Sequence, residues 1–338
     1  MNAQWKFGFR TVAVLAASAF AFAQTPTGAT GQVAGPGTAT YTRTDLPSGA
    51  NAQSRRTAYP GAINYVEGRA TLNGQPLAAS AVGSAVVGRN QAVTTSDGYV
   101  EVLLTPGAFL RVGHNSEAQF VSAGLANVDV DLTRGSAMAE VADLVKGSTI
   151  RFTVNGVPAQ IASKGLYALN ATEGSIRVLD GKADVQTAER KVTLKKGDEF
   201  ATIDGSGKKH DFNMKAAEKD PLYVWSKVRS ESESQANLHT ANLIVAGNSW
   251  YGPGWYWDPF WASYAFMPGS GFLYSPFGWG FYSPAYYGLR GGGLVYPGYY
   301  YARPGYYHGF ARGHVGGIGA MHAGAGFRAG RGFHGGRR

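Results

Sequence analysis

The sequence predicts a mainly β fold, an antiparallel sandwich, roll or β-helix-like stack, followed by one long amphipathic helix and a largely disordered Gly- and aromatic-rich tail. Three observations predict it. Between Gly61 and Asp204, short β-type runs are separated by Asn73-Gly74, Asp97-Gly98, Asn155-Gly156, Asp180-Gly181 and Asp204-Gly205, pairs that tolerate the positive φ of tight turns. Apolar residues alternate within those runs: Val100, Val102 and Leu104 share one strand face, as do Ile176 and Val178, then Val192 and Leu194. Each set implies one buried face and one wet face. From about Phe212 the period becomes helical.

Residues 1–23 read as a cleavable secretory signal. Lys6 and Arg10 precede the apolar run Thr11 to Phe20, and Ala21-Phe22-Ala23 supplies the small residues of a cleavage site. The run is shorter than the roughly 20 residues that cross a bilayer. The expected location is therefore the periplasm, the outer surface or the extracellular space, with no transmembrane span after signal cleavage. The chain has no Cys, so neither disulfides nor a lipidated Cys contribute. Residues 24–60 are rich in Gly, Ala, Thr, Ser and Pro and bury too little apolar surface to offset their ordering entropy, so they read as a disordered leader.

The β domain is expected over 61–211 and the helix over 212–247. Asp220-Pro221 supplies an N-cap followed by Pro at the first helical position. Leu222, Trp225, Val228 or Arg229, Ser232, Ala236 and Leu243 fall roughly on one side, and Trp225 is expected to pack the helix on the β domain. Residues 248–289 form a Trp/Tyr-rich segment punctuated by Gly and Pro, with five of the seven tryptophans between Trp250 and Trp279. Residues 290–338 are a Gly/Arg/His-rich tail expected to be disordered. The basicity of the chain, +9 overall, belongs to this end: beyond Gly247 there are seven arginines and a single acid, Asp258.

The run Thr95-Ser-Asp-Gly-Tyr-Val-Glu-Val-Leu-Leu-Thr-Pro-Gly-Ala-Phe-Leu-Arg-Val-Gly-His-Asn-Ser-Glu117 resembles the periplasmic domain of FecR-type proteins. So do Val130-Asp-Leu-Thr-Arg-Gly135, Glu173-Gly-Ser-Ile-Arg-Val-Leu-Asp-Gly-Lys-Ala-Asp-Val185 and Lys195-Lys-Gly-Asp-Glu199, and the resemblance covers about 140 residues. In iron-uptake regulators of that family the domain follows a cytoplasmic sigma-regulating segment and a membrane span. Here a signal peptide leads straight into the domain, which removes the route to a cytoplasmic sigma factor. The helix with Leu222-Tyr-Val-Trp-Ser-Lys-Val-Arg-Ser-Glu231 and the block Ser275-Pro-Phe-Gly-Trp-Gly-Phe-Tyr-Ser-Pro284 resemble exported FecR-domain proteins of acidobacterial type. That resemblance implies a domain type without a defined reaction.

No Gly-x-Ser-x-Gly elbow, His-Glu-x-x-His helix, phosphate loop or calcium loop is present, so no enzymatic activity and no cofactor is expected. A polysaccharide-active enzyme using unpaired acids such as Glu101 or Glu173 lacks a paired-carboxylate motif. His114 sits in a predicted Gly-His-Asn-Ser turn. His308, His314, His322 and His334 are spaced too irregularly to specify a closed metal geometry.

The aromatic block and the arginines remain as candidate ligand contacts, namely Trp255, Tyr256, Trp257, Trp261, Trp279, Arg328 and Arg331. Trp and Tyr faces suit stacking on sugars, and Arg forks pair with phosphates or carboxylates. The simpler expectation for the aromatics is packing against the β domain, because so much exposed ring surface would invite aggregation. The expected function is that of a non-enzymatic exported envelope protein, a binding or scaffold module whose cationic aromatic tail contacts envelope or extracellular polyanions and glycans. The alternative is a periplasmic sensor or regulator that docks on a membrane-bound protein partner in the envelope. Export excludes cytoplasmic nucleic acid as a partner.

Overall fold

The computed structural model describes residues 58–203 and 208–289. The signal, most of the leader, the Asp204-Gly205 pair and the tail from 290, with Arg328, Arg331 and the four tail histidines, lie outside the described residues.

The β region contains β1 (Ile63–Glu67), β2 (Ala70–Leu72), β3 (Gln75–Leu77), β4 (Gln91–Thr95), β5 (Tyr99–Leu103), β6 (Ala108–Val112), β7 (Glu117–Ala123), β8 (Asn127–Arg134) and β9 (Ser136–Val141). It continues through β10 (Thr149–Val154), β11 (Val157–Ile161), β12 (Gly165–Asn170), β13 (Ser175–Asp180), β14 (Lys182–Gln186), β15 (Lys191–Lys195), β16 (Asp198–Ala201) and β17 (Lys209–Asp211). Two helices follow, α1 (Met214–Ala217) and α2 (Pro221–Gly247). The aromatic block then forms two hairpins, β18 (Gly254–Asp258) with β19 (Ser263–Met267) and β20 (Phe272–Tyr274) with β21 (Gly280–Tyr282), and ends in α3 (Pro284–Leu289).

The strands form a two-sheet sandwich. One sheet has the order β1-β5-β6-β9-β12-β13-β16-β17 and is antiparallel throughout. The other has the order β15-β14-β11-β10-β8-β7-β4-β2-β3, with β8 and β10 parallel. The alternating residues behave as their period requires: Val100, Val102, Leu104, Ile176, Val178 and Leu194 all enter the core between the sheets, beside Phe120, Phe152 and Tyr167.

The turn pairs divide into two classes. Asn73-Gly74 and Asn155-Gly156 have positive φ at both residues and close the hairpins β2–β3 and β10–β11, as two-residue loops require. Asp97-Gly98 and Asp180-Gly181 do not close hairpins. They are corners at which the chain leaves one sheet for the other, from β4 to β5 and from β13 to β14. At Gly181 (φ +89°) an added Cβ would lie 2.4 Å from the Lys164 carbonyl oxygen, so the corner leaves no room for a side chain. Gly135, between β8 and β9, is a corner of the same kind.

The expectation of one wet face fails at β5 and β6 of the first sheet. Every residue of β5 and β6 is buried, because α2 and the aromatic hairpins cover the outer face of that sheet. Trp255, Trp257, Tyr264 and Phe266 turn toward the sheet and pack with Leu103, Phe109 and Phe281. The opposite side of the same hairpin, Tyr256, Ala265 and Met267, packs under Ala236, Ala241 and Ile244 of α2. The third layer is thus itself layered.

Candidate functional site in the covered sheet face

The helix is positioned by its start. Asp220 Oδ1 accepts from the backbone N–H of Leu222 at 2.8 Å, and Pro221 supplies the first helical residue. Trp225 stacks on Tyr99 with ring centroids 4.6 Å apart, and its Nε1 donates to Glu67 Oε2 at 2.9 Å. The sequence expectation for this end of the helix holds.

The stripe that α2 buries is the expected one only in part: Leu222, Arg229 and Ala236 are buried, but the hidden side extends to polar positions that the apolar period does not mark. Val228 is 57% exposed and Ser232 is only partly buried, whereas Ser226, Arg229, Ser230, Glu233, Ser234, Asn237 and Thr240 face inward with Leu222, Ala236 and Ile244. The helix therefore turns a polar side to the protein and leaves Val224, Val228 and Val245 outside. The reason is the surface beneath it. In the outer face of the first sheet, Glu101 on β5 stands opposite Arg111 on β6, with Glu140 on the next strand, β9.

These side chains form one buried ion cluster. Arg111 Nε donates to Glu101 Oε2 at 2.8 Å, and its Nη1 donates to Glu140 Oε2 at 2.6 Å. Arg229 Nη2 donates to Glu101 Oε1 at 2.9 Å and to Glu233 Oε1 at 2.5 Å, and its guanidinium lies 4.1 Å from the centroid of the Tyr65 ring. Ser230 Oγ, on the helix, donates to Glu140 Oε1 at 2.7 Å. Asn64 on β1 ties in the hairpin: its Nδ2 reaches Glu101 Oε1 and Glu233 Oε1, both at 3.0 Å, while its Oδ1 accepts from the backbone N–H of Tyr264 at 2.7 Å. Sheet, helix and aromatic hairpin meet at this cluster.

Burial penalises every charge in it. For Glu101 that penalty alone would raise the carboxyl, but the guanidiniums of Arg229 and Arg111 overcome it and hold the group down at about 2. For Glu233, burial acts together with the adjacent Glu101 and pushes the carboxyl well above the ordinary carboxylate range. Burial lowers both arginines, and their carboxylate partners more than restore them.

Glu101 is therefore not an unpaired acid available to a substrate; it is fully buried between two guanidiniums. Glu173 is exposed and bridges to Arg177 at 3.3 Å. His114 lies in the expected exposed turn, edge-on to Tyr99. The lone acid of the aromatic block, Asp258, is fully buried; its Oδ2 is 2.6 Å from His239 Nδ1 and accepts from Thr240 Oγ1, and its Oδ1 accepts from the backbone N–H groups of Phe260 and Trp261. A depression of about 30 Å³ beside α1, lined by Met138, Arg177, Leu179, Asp220 and Leu222 among others, has room for a water or two. No group of three or more metal-ligating side chains occurs among the described residues.

The candidate ligand aromatics point inward and are not gathered at one place: Trp255 and Trp257 pack on the first sheet, Tyr256 and Trp261 pack at α2, and Trp279 lies beside Leu222 and Phe277. Trp255, Tyr256 and Trp257 are each under 10% exposed, and Trp261 and Trp279 are partly buried. The aromatic surface that stays open belongs to other residues: Tyr251, Phe260, Phe272 and Tyr274, with Phe272 also near Tyr282 and Tyr286 at 5 to 6 Å. No helix of the described residues is long and apolar enough to cross a membrane.

No protein-family model matches the chain, and no curated protein matches it in sequence. Among solved structures it is similar to two crystal structures of a protein from Parabacteroides distasonis ATCC 8503 assigned as an anti-sigma factor. The identities are 14% and 13% and the TM-scores 0.32 and 0.33, over 37% of this chain. The match spans 60% and 62% of those structures. The FecR-type resemblance thus rests on the turn-and-strand motifs quoted above, and likeness at this level carries no inference about activity or partner.

Proposed function

We propose that this chain is an exported, non-catalytic binding module, whose three-layered body carries a cationic Gly/Arg/aromatic tail into contact with anionic envelope or matrix polymers. One observation carries the reading: the buried cluster of acids and bases on the outer face of the first sheet is sealed and joins the layers. Glu101, Arg111 and Glu140 have no exposed surface. What the described body offers its surroundings is surface, including the rings of Phe260, Phe272 and Tyr274, and the sequence beyond it supplies the arginines. Co-sedimentation of residues 24–338 with lipopolysaccharide and with an acidic polysaccharide, at low and high salt, tests this. Binding should weaken with salt and drop at least about tenfold when 290–338 is removed, since charge-driven contacts between exposed groups are screened. Unchanged, salt-insensitive binding by the truncated chain overturns the tail's role.

A second reading, a regulator domain that docks on a membrane-bound protein, is favoured by the outward valines of α2. Val224 and Val228, one turn apart, are both more than half exposed on a helix whose hidden side is polar. A photo-crosslinker at position 228, used in envelope membranes, should capture a membrane protein. Capture of none, with the chain folded and present, counts against this reading.

A further inference from the structure

The ion cluster does not balance as it is written in standard ionisation states. Three carboxyl groups, Glu101, Glu140 and Glu233, face two guanidiniums, Arg111 and Arg229, and nothing else charged touches them from β1, the aromatic hairpins or α2. The remaining contacts are neutral: Asn64, Ser230, the ring of Tyr65 and, through Ser230, Ser275. Fully ionised, the cluster would hold one uncompensated negative charge in the interior, which proteins avoid by neutralising a group.

The geometry also says which group. Glu101 Oε1 and Glu233 Oε1 accept from the same two donors, Arg229 Nη2 and Asn64 Nδ2, so the two oxygens are held side by side. Glu101 receives a second guanidinium on its other oxygen, from Arg111, and Glu140 receives Arg111 and Ser230. Glu233 has no such support: its Oε2 is buried without a hydrogen-bond donor among the described residues. Of the three, it is the carboxyl least able to sustain a charge.

We propose that α2 seats on the first sheet with one proton bound in the cluster, carried by Glu233 and shared toward Glu101. The proton turns a like-charge contact into an O–H donated by Glu233 to a carboxylate, and leaves two negative charges against two positive ones. The helix is thereby a proton-coupled clasp. A carboxyl of this kind takes up its proton more readily in the folded chain than in the unfolded one, whose ordinary value is 4.5. Its stabilising effect is therefore complete below 4.5 and is lost as pH rises through the folded value.

The test uses residues 24–338, with Glu233→Gln and Glu101→Gln. Infrared spectra of the native chain near neutral pH should show the carbonyl band of a protonated buried carboxylic acid. The band should vanish in Glu233→Gln. It should vanish in Glu101→Gln as well, because two carboxylates then face two guanidiniums and Glu233 ionises. In urea unfolding, the equilibrium constant for unfolding of the native chain should rise by up to tenfold per pH unit more steeply than that of Glu233→Gln over the range just above pH 4.5. A native chain without the band overturns the proposal even if Glu233→Gln does not fold. So does a band that persists in Glu233→Gln, or an unaltered pH slope.

Discussion

At the scale of single residues, the chain places its charges where a one-face-wet strand pattern would leave them in water, and then covers them. Glu101 between Val100 and Val102, Arg111 between Leu110 and Val112, and Glu140 between Ala139 and Val141 each occupy the polar phase of an alternating strand. Once buried, they hold one another, and breaking the set leaves charge without a partner. Arg111→Leu should lower stability by about 3–5 kcal/mol in urea unfolding at neutral pH, since it leaves Glu140 with no guanidinium and Glu101 with Arg229 alone, whereas a loss under about 1 kcal/mol would mean that the cluster is not closed. The phase of these residues was legible in the sequence, and their burial was not. Nothing local distinguishes a glutamate facing water from one that meets a helix more than a hundred residues later. The available hint was Arg229 and Glu233, four apart on a helix, an ion-pair spacing that put Arg229 rather than Val228 on the inward side.

At the scale of elements, the four turn pairs that are described lie at element boundaries, and their chemistry identified the partners only in part. Asn-Gly pairs closed hairpins because both residues adopt positive φ. Asp97-Gly98 and Asp180-Gly181 turned out to be corners between sheets, a distinction that depends on which strand comes next in space. The corner glycines give a sharp expectation. Gly181→Ala, with φ at +89° and the Lys164 carbonyl in the way of a methyl group, should cost more than about 1 kcal/mol in thermal or urea unfolding. The same change at Gly156, whose φ is also positive but around which no atom crowds a Cβ, should cost less. Equal losses at the two sites would remove the close approach as the cause. For α2, the N-cap and the Trp225 anchor were readable from Asp220-Pro221 and from helical spacing. The buried stripe was readable only at Leu222, Arg229 and Ala236, because a search for apolar periodicity misses the serines and the asparagine through which the helix also docks.

At the scale of the whole molecule, the aromatic block is structural cladding. Phe281, Phe266 and Trp255 close over Phe109 and Leu103, so the body is complete only when residues up to 289 are present. Ending the chain at 289 should leave the free energy of unfolding within about 1 kcal/mol of that of the longer chain, since the clusters that clad the first sheet are built from residues before that point. Ending it at 211 should expose Tyr99, Leu103, Phe109 and Met138 together and give a product that self-associates in analytical ultracentrifugation. A monomeric, well-folded 24–211 fragment would show that the cladding is dispensable. The composition predicted that the Trp/Tyr block packs, through the hazard of exposing it. It did not predict that both sides of one hairpin would be used, one against a sheet and the other against a helix.

The clasp at Asn64 has a consequence for how the chain comes into being. Asn64 waits for Glu233 and for Tyr264, 169 and 200 residues further along. A polypeptide that emerges N-terminus first therefore lays down the first sheet well before its cover exists. During that interval the naked face carries Glu101, Arg111 and Glu140 beside Phe109 and Leu103. The same charges that later bind the layers would act first as sentinels, keeping a half-built, strand-rich surface wetted and unattractive to its neighbours until the last hairpin arrives.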